Sequence, residues 1–82
     1  MVVDFSVNEE TLAQVQIAGD FFLYPEDALH RLTASLERSS TTASVEDRIS
    51  LLQASLAEDD VLIGLTTHAI AVAVERALTG SR

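Results

Sequence analysis

The feature that most restricts the fold is a change of period across Gly19–Pro25. Before this junction apolar residues recur at every second position; after it they recur at every third or fourth. Val3, Phe5 and Val7 alternate with Asp4 and Ser6, and Ala13, Val15 and Ile17 stand opposite Gln14 and Gln16. That is the pattern of strands with one wet face. The polar run Asn8-Glu9-Glu10-Thr11 between them reads as a turn, so residues 2–18 are expected to form a β-hairpin with one apolar face.

After the junction, Pro25 suits the first position of a helix, and Glu26 and Asp27 place negative charge where the free N–H groups favour it. Leu29, Leu32 and Leu36 then form a stripe through about Arg38. Ser39-Ser40-Thr41-Thr42-Ala43 interrupts it. Ser44 has N-cap chemistry for a second helix, with Asp47 three residues on and Val45, Ile49, Leu52 and Leu56 as its stripe. Glu58-Asp59-Asp60 opposes a helix C-terminus, and Val61-Leu62-Ile63 reads as a short extended segment. A third helix is expected after Thr66 or Thr67, with Ile70, Val74, Ala77 and Leu78 on one face and Gly80 as its stop. The expectation is one α+β domain over residues 1–82, of order ββααα, with helices over about 25–38, 44–57 and 67–79.

Composition narrows the function classes. Thirteen acidic residues stand against five basic ones, all Arg, for a formal net charge of -8. Nucleic acid and anionic membrane need basic surface to displace counterions, so neither is an expected partner. A surface rich in Asp and Glu without Lys fits a salt-rich cytoplasm, and a GC-rich genome accounts for it equally. With no Cys there is no disulfide framework or thiolate metal site. No apolar run approaches the ~18 residues of a membrane span, and the first residues lack a basic, then apolar leader, so a soluble cytoplasmic protein is expected.

Catalytic constellations are not found in the sequence. A nucleophilic triad needs a base, and His30 and His68 read better as helix-surface residues. The acidic run 58–60 lacks the alternating spacing of a calcium loop, and no glycine-rich loop precedes a helix to cradle phosphate. Asp20 is the one carboxylate whose setting suggests partial burial. Arg31, Arg38, Arg48 and Arg76 are scattered and suit carboxylates such as Glu37 and Glu75.

The corner Gly19-Asp20-Phe21-Phe22-Leu23-Tyr24-Pro25 holds three of the four aromatic residues. A buried plug for a small core and an exposed anchor for a partner are both consistent with it, one Phe in and one out. The candidate docking residues are Gly19, Asp20, Phe21, Phe22, Tyr24 and Pro25.

Gly19-Asp20-Phe21-Phe22, then Pro25-Glu26-Asp27 and an amphipathic helix, then Gly64-Leu65-Thr66 before the last helix, resembles the small C-terminal domain of the lipoate-protein ligase family. The resemblance spans nearly the whole chain. It implies a fold similar to iron–sulfur scaffold proteins, without their cluster cysteines. It implies an accessory subunit that docks on a separate catalytic chain and supports lipoyl-adenylate formation. ATP and lipoate are then expected on that catalytic partner, with no cofactor bound here. The family's catalytic motif and its Lys have no counterpart, so no catalytic role carries over, and the chain is not expected to be an enzyme alone. Family domains usually have a further strand ahead of the segment at Val2, which implies a partner covering or extending the sheet. The second expectation is a small acidic interaction module, self-associating through the hairpin edge.

Overall fold

A computed structural model describes residues 1–80 of the chain. The fold is α+β: strands β1 (Val2–Asn8), β2 (Thr11–Ala18) and β3 (Phe22–Tyr24), helices α1 (Asp27–Glu37) and α2 (Val45–Ala54), strand β4 (Val61–Ile63) and helix α3 (Thr67–Gly80). β1 and β2 pair antiparallel as the hairpin expected, and β3 pairs antiparallel with β4 in a second, two-stranded sheet. The order is therefore βββααβα, the expected ββααα with one additional strand on either side of the first two helices.

The hairpin departs from strict alternation. Asp4 pairs with Gln16 but Ser6 pairs with Ala13, so Phe5 faces two residues, and Gln14 takes a φ of +52° in the resulting bulge. The extra residue changes the phase of β2. Leu12, Val15 and Ile17 are consequently buried together, whereas Ala13 is only half-buried and Val7 stands in solvent. The turn itself is two residues long, with Glu9 and Glu10 both at positive φ, the type I′ pattern that Asn-Gly adopts more readily.

α1 begins at Asp27 and not at Pro25. Pro25 and Glu26 carbonyls accept from Ala28 and Leu29 N–H groups at 2.9 and 3.1 Å, a tighter i to i+3 turn ahead of the helix proper. Leu32 and Leu36 are fully buried, and the leucine face of α1 lies on β2. Ser44 caps α2, accepting the Asp47 N–H at 3.1 Å. That helix stops at Ala54, three residues short of expectation. The Ala57 N–H, which would continue it, donates instead to the Asp60 carboxylate at 2.7 Å. Thr66 Oγ1 accepts the Ala69 N–H at 3.0 Å and so caps α3. Gly80 is the last helical residue of α3 and not a stop beyond it; residues 81 and 82 lie outside the described residues.

The core lies between the hairpin and the three helices. Val3, Leu12, Val15 and Ile17 meet Leu32 and Leu36 of α1, Leu52 of α2, Leu65, and Ile70, Ala71 and Val74 of α3. Removing a fully buried Leu or Ile side chain from such a core costs ~2–5 kcal/mol. One charged side chain shares this interior. Arg48 is fully buried, donates Nη1 to Glu75 Oε1 at 3.1 Å, and donates Nη2 to the Ser40 and Thr41 carbonyls at 2.9 and 3.3 Å. It binds α2, α3 and the 39–43 connector into one unit, and only its Nε finds no acceptor.

That connector in turn covers the outer edge of β2. Leu12 N–H donates to Ser39 O, Thr41 N–H donates to Glu10 O, and Val15 N–H donates to Glu37 Oε2 at 3.0 Å. Glu37 therefore serves the backbone and not an arginine. Glu75, by contrast, does partner an arginine, Arg48. Among the described residues, no strand other than β2 pairs with β1, whose Val3, Phe5 and Val7 line an open groove with Ala77 and Leu78 of α3.

Candidate docking face

The aromatic corner turns out to be a strand. Phe22 pairs with Ile63, Leu23 with Leu62 and Tyr24 with Val61. Because side chains alternate across a strand and oppose across a pair, Phe22, Tyr24, Val61 and Ile63 share one face and Leu23 and Leu62 the other. Leu23 packs against the core and Leu62 is half-buried. The four on the outer face are 54%, 62%, 41% and 60% exposed.

Two glycines let the chain enter and leave this small sheet. Gly64, at φ +76°, follows β4, and a Cβ there would sit 3.0 Å from the Asp20 carbonyl oxygen. Gly19, at φ +147°, precedes β3, and a Cβ there would lie 2.8 Å from Met1 Cα. An L side chain is both strained and crowded at either position.

The ion pairing beneath the sheet fixes its approach to α1. Arg31 Nη1 and Nη2 donate to the two Asp60 oxygens at 2.6 and 3.0 Å, and Nε donates to Asp27 at 3.1 Å. Nη1 also reaches the Ser55 carbonyl. The Asp60 side chain is only 3% exposed, and Asp60 immediately precedes β4. The forked pair thus ties the start of β4 to the first turns of α1. The Arg31 hydrogen bonds, followed by that of the Ala57 N–H, hold the Asp60 carboxyl below the usual carboxylate range. The same bond to Asp60, then that to Asp27, raises the Arg31 pKa.

Of the six residues expected at the site, Phe22 and Tyr24 lie together on the exposed face. Phe21 is half-buried against the core, so the aromatic pair divides into one Phe in and one out. Gly19 shapes the approach to β3, and Pro25 forms the bend after it, on the far side of a cis peptide bond from Tyr24. Asp20 is exposed, contrary to the expected partial burial; the carboxylate withdrawn from solvent is Asp60. Val61 and Ile63 complete the face and were signalled only as an extended run.

Beside the face lies an open groove of about 450 Å³ lined by Phe21, Phe22, Leu23, Glu26, Leu29 and His30. His30 and His68 are both exposed. Among the described residues neither imidazole is hydrogen-bonded to a carboxylate or hydroxyl side chain, and no three His, Asp or Glu side chains converge as a metal site would require. No helix among them is long and apolar enough to cross a membrane.

Comparison with protein-family models, with curated proteins and with solved structures returns no match to this chain.

Proposed function

We propose that the chain is a non-catalytic accessory subunit, acting in the cytoplasm, that docks on the catalytic chain of a lipoate-protein ligase and supports formation of lipoyl-adenylate. The observation that carries the docking part is the shared exposed face of Phe22, Tyr24, Val61 and Ile63. A sheet of two three-residue strands is marginal by itself, and exposing four large apolar side chains on one side adds nothing to the stability of the free chain. Such a face gains from burial only against another molecule, and aromatic anchors are characteristic of interface centres. The ligase part rests on the resemblance of Gly19–Phe22, Pro25–Asp27 and Gly64–Thr66 to the family's small domain. On this reading ATP, lipoate and the reacting groups belong to the partner, and the present chain positions or closes that site.

The test is lipoyl-adenylate formation by the catalytic chain with and without this one. The reading expects formation to depend on this chain; equal rates in its presence and absence overturn it.

The unpaired outer edge of β1, with exposed Val7 beside it, favours a second reading, in which two copies pair through their hairpins. Sedimentation of the isolated chain decides this, since that reading requires a dimer.

A further inference from the structure

The β3–β4 face has an acidic margin. Asp20 lies two residues before Phe22, Glu26 two residues after Tyr24, and Asp59 two residues before Val61, and all three are exposed. Tyr24 pairs with Val61, so Glu26 and Asp59 flank one end of the small sheet while Asp20 flanks the other.

Of the cations among the described residues, the Met1 amino group approaches this margin, beside Gly19 at the Asp20 end, and the arginines are engaged or placed elsewhere. Arg31 is bound by Asp27 and Asp60, and Arg48 is buried against Glu75. Arg38 follows the far end of α1, about 16 Å along the helix from its start, and Arg76 lies about 14 Å along α3 from Thr67. Arg82 is outside the described residues.

We infer that this face is shaped for a protein surface that is apolar at its centre and cationic at its margin, and that it disfavours a second copy of the chain. The inference rests on the docking reading above and specifies its partner. A two-fold pairing of the face with itself would bring Asp20, Glu26 and Asp59 of both copies together at the rim of an apolar centre, where like charges repel. A margin of Arg or Lys on the partner reverses that sign, accelerates encounter and rejects acidic competitors.

The experiment uses the whole chain, isotopically labelled, and two synthetic helical peptides with the same leucine face, one flanked by Arg and the other by Glu. The Arg-flanked peptide is expected to shift the amide signals of Phe22, Tyr24, Val61 and Ile63 and to bind at least about tenfold more tightly than its Glu-flanked counterpart. The variant Asp20→Asn/Glu26→Gln/Asp59→Asn, which touches none of the ion pairs above, is expected to lose that discrimination while keeping the same fold. Equal binding of both peptides, binding of neither, shifts confined to another surface, or a dimer of the free chain that buries Phe22 and Ile63 overturns the inference. The ligase reading is judged separately: if the Arg peptide binds and the ligase chain does not, only the ligase assignment fails. If the ligase chain binds and neither peptide does, only the charge inference fails.

Discussion

Phe22 stands directly across from Ile63 on the β3–β4 pair, and both side chains are more than half exposed. The two positions are 41 residues apart in sequence, so a deliberate pairing of distant segments has produced an apolar surface that the chain's own core does not use. The free protein should therefore tolerate its loss. Phe22→Ser/Ile63→Ser is expected to unfold in urea within about 2 kcal/mol of the parent, because more than half of each residue is already in water. A loss of several kcal/mol would mean the face is part of the core.

Arg48 is the opposite case. Truncation to Ala removes the donor for the Ser40 and Thr41 carbonyls and empties the fully buried space the side chain fills, so Arg48→Ala is expected to lose about 3 kcal/mol in urea denaturation. Glu75→Gln keeps an oxygen that accepts from Nη1 but leaves the fully buried Arg48 cation without its carboxylate, so it too should destabilise, by about 1–3 kcal/mol.

The Glu9-Glu10 turn holds two non-glycine residues at positive φ. Replacing them by Asn-Gly supplies the residues that conformation favours, and the variant should gain about 1 kcal/mol by the same measurement. No gain would indicate that the turn relaxes at little cost.

The Arg31–Asp60 fork gives stability an acid limb. Asp60 has a folded pKa below its unfolded value, so the unfolded chain binds its proton first as the pH falls. The pair's contribution is complete above the ordinary carboxylate range near ~4 and is lost as the pH drops through the lower, folded value. Asp60→Asn should lower the thermal midpoint at pH 7, and the gap between variant and parent should close below about pH 4. A gap that persists unchanged at pH 3 would assign the stability to something other than the ion pair.

Much of this was legible in the sequence where the signal is local. The alternation of residues 2–18, the Ser44 and Thr66 caps and the leucine stripe of α1 each follow from residues within a few positions of one another. The bulge at Gln14 was not, because alternation fits either phase of β2; the one clue was Leu12, apolar yet out of step with Val15 and Ile17. Arg48 was legible in retrospect, since it falls between Val45 and Leu52 on the buried stripe of α2. The pairing of β3 with β4 had no local signal. Three residues carry no measurable period, and their partner is decided by α1 and α2 folding between them and by the Arg31–Asp60 fork. Thus the aromatic half of the candidate docking face was visible from Phe22 and Tyr24, while Val61 and Ile63 entered only through the tertiary fold.

The most direct test of the account is co-sedimentation of the catalytic ligase chain with this one and with the Phe22→Ser/Ile63→Ser variant, the variant first shown to be folded. The account predicts a stable complex with the parent chain and at least about tenfold weaker association with the variant, as expected when anchor residues leave an interface centre. No complex with the parent chain, or a complex formed equally well by the variant, would contradict it.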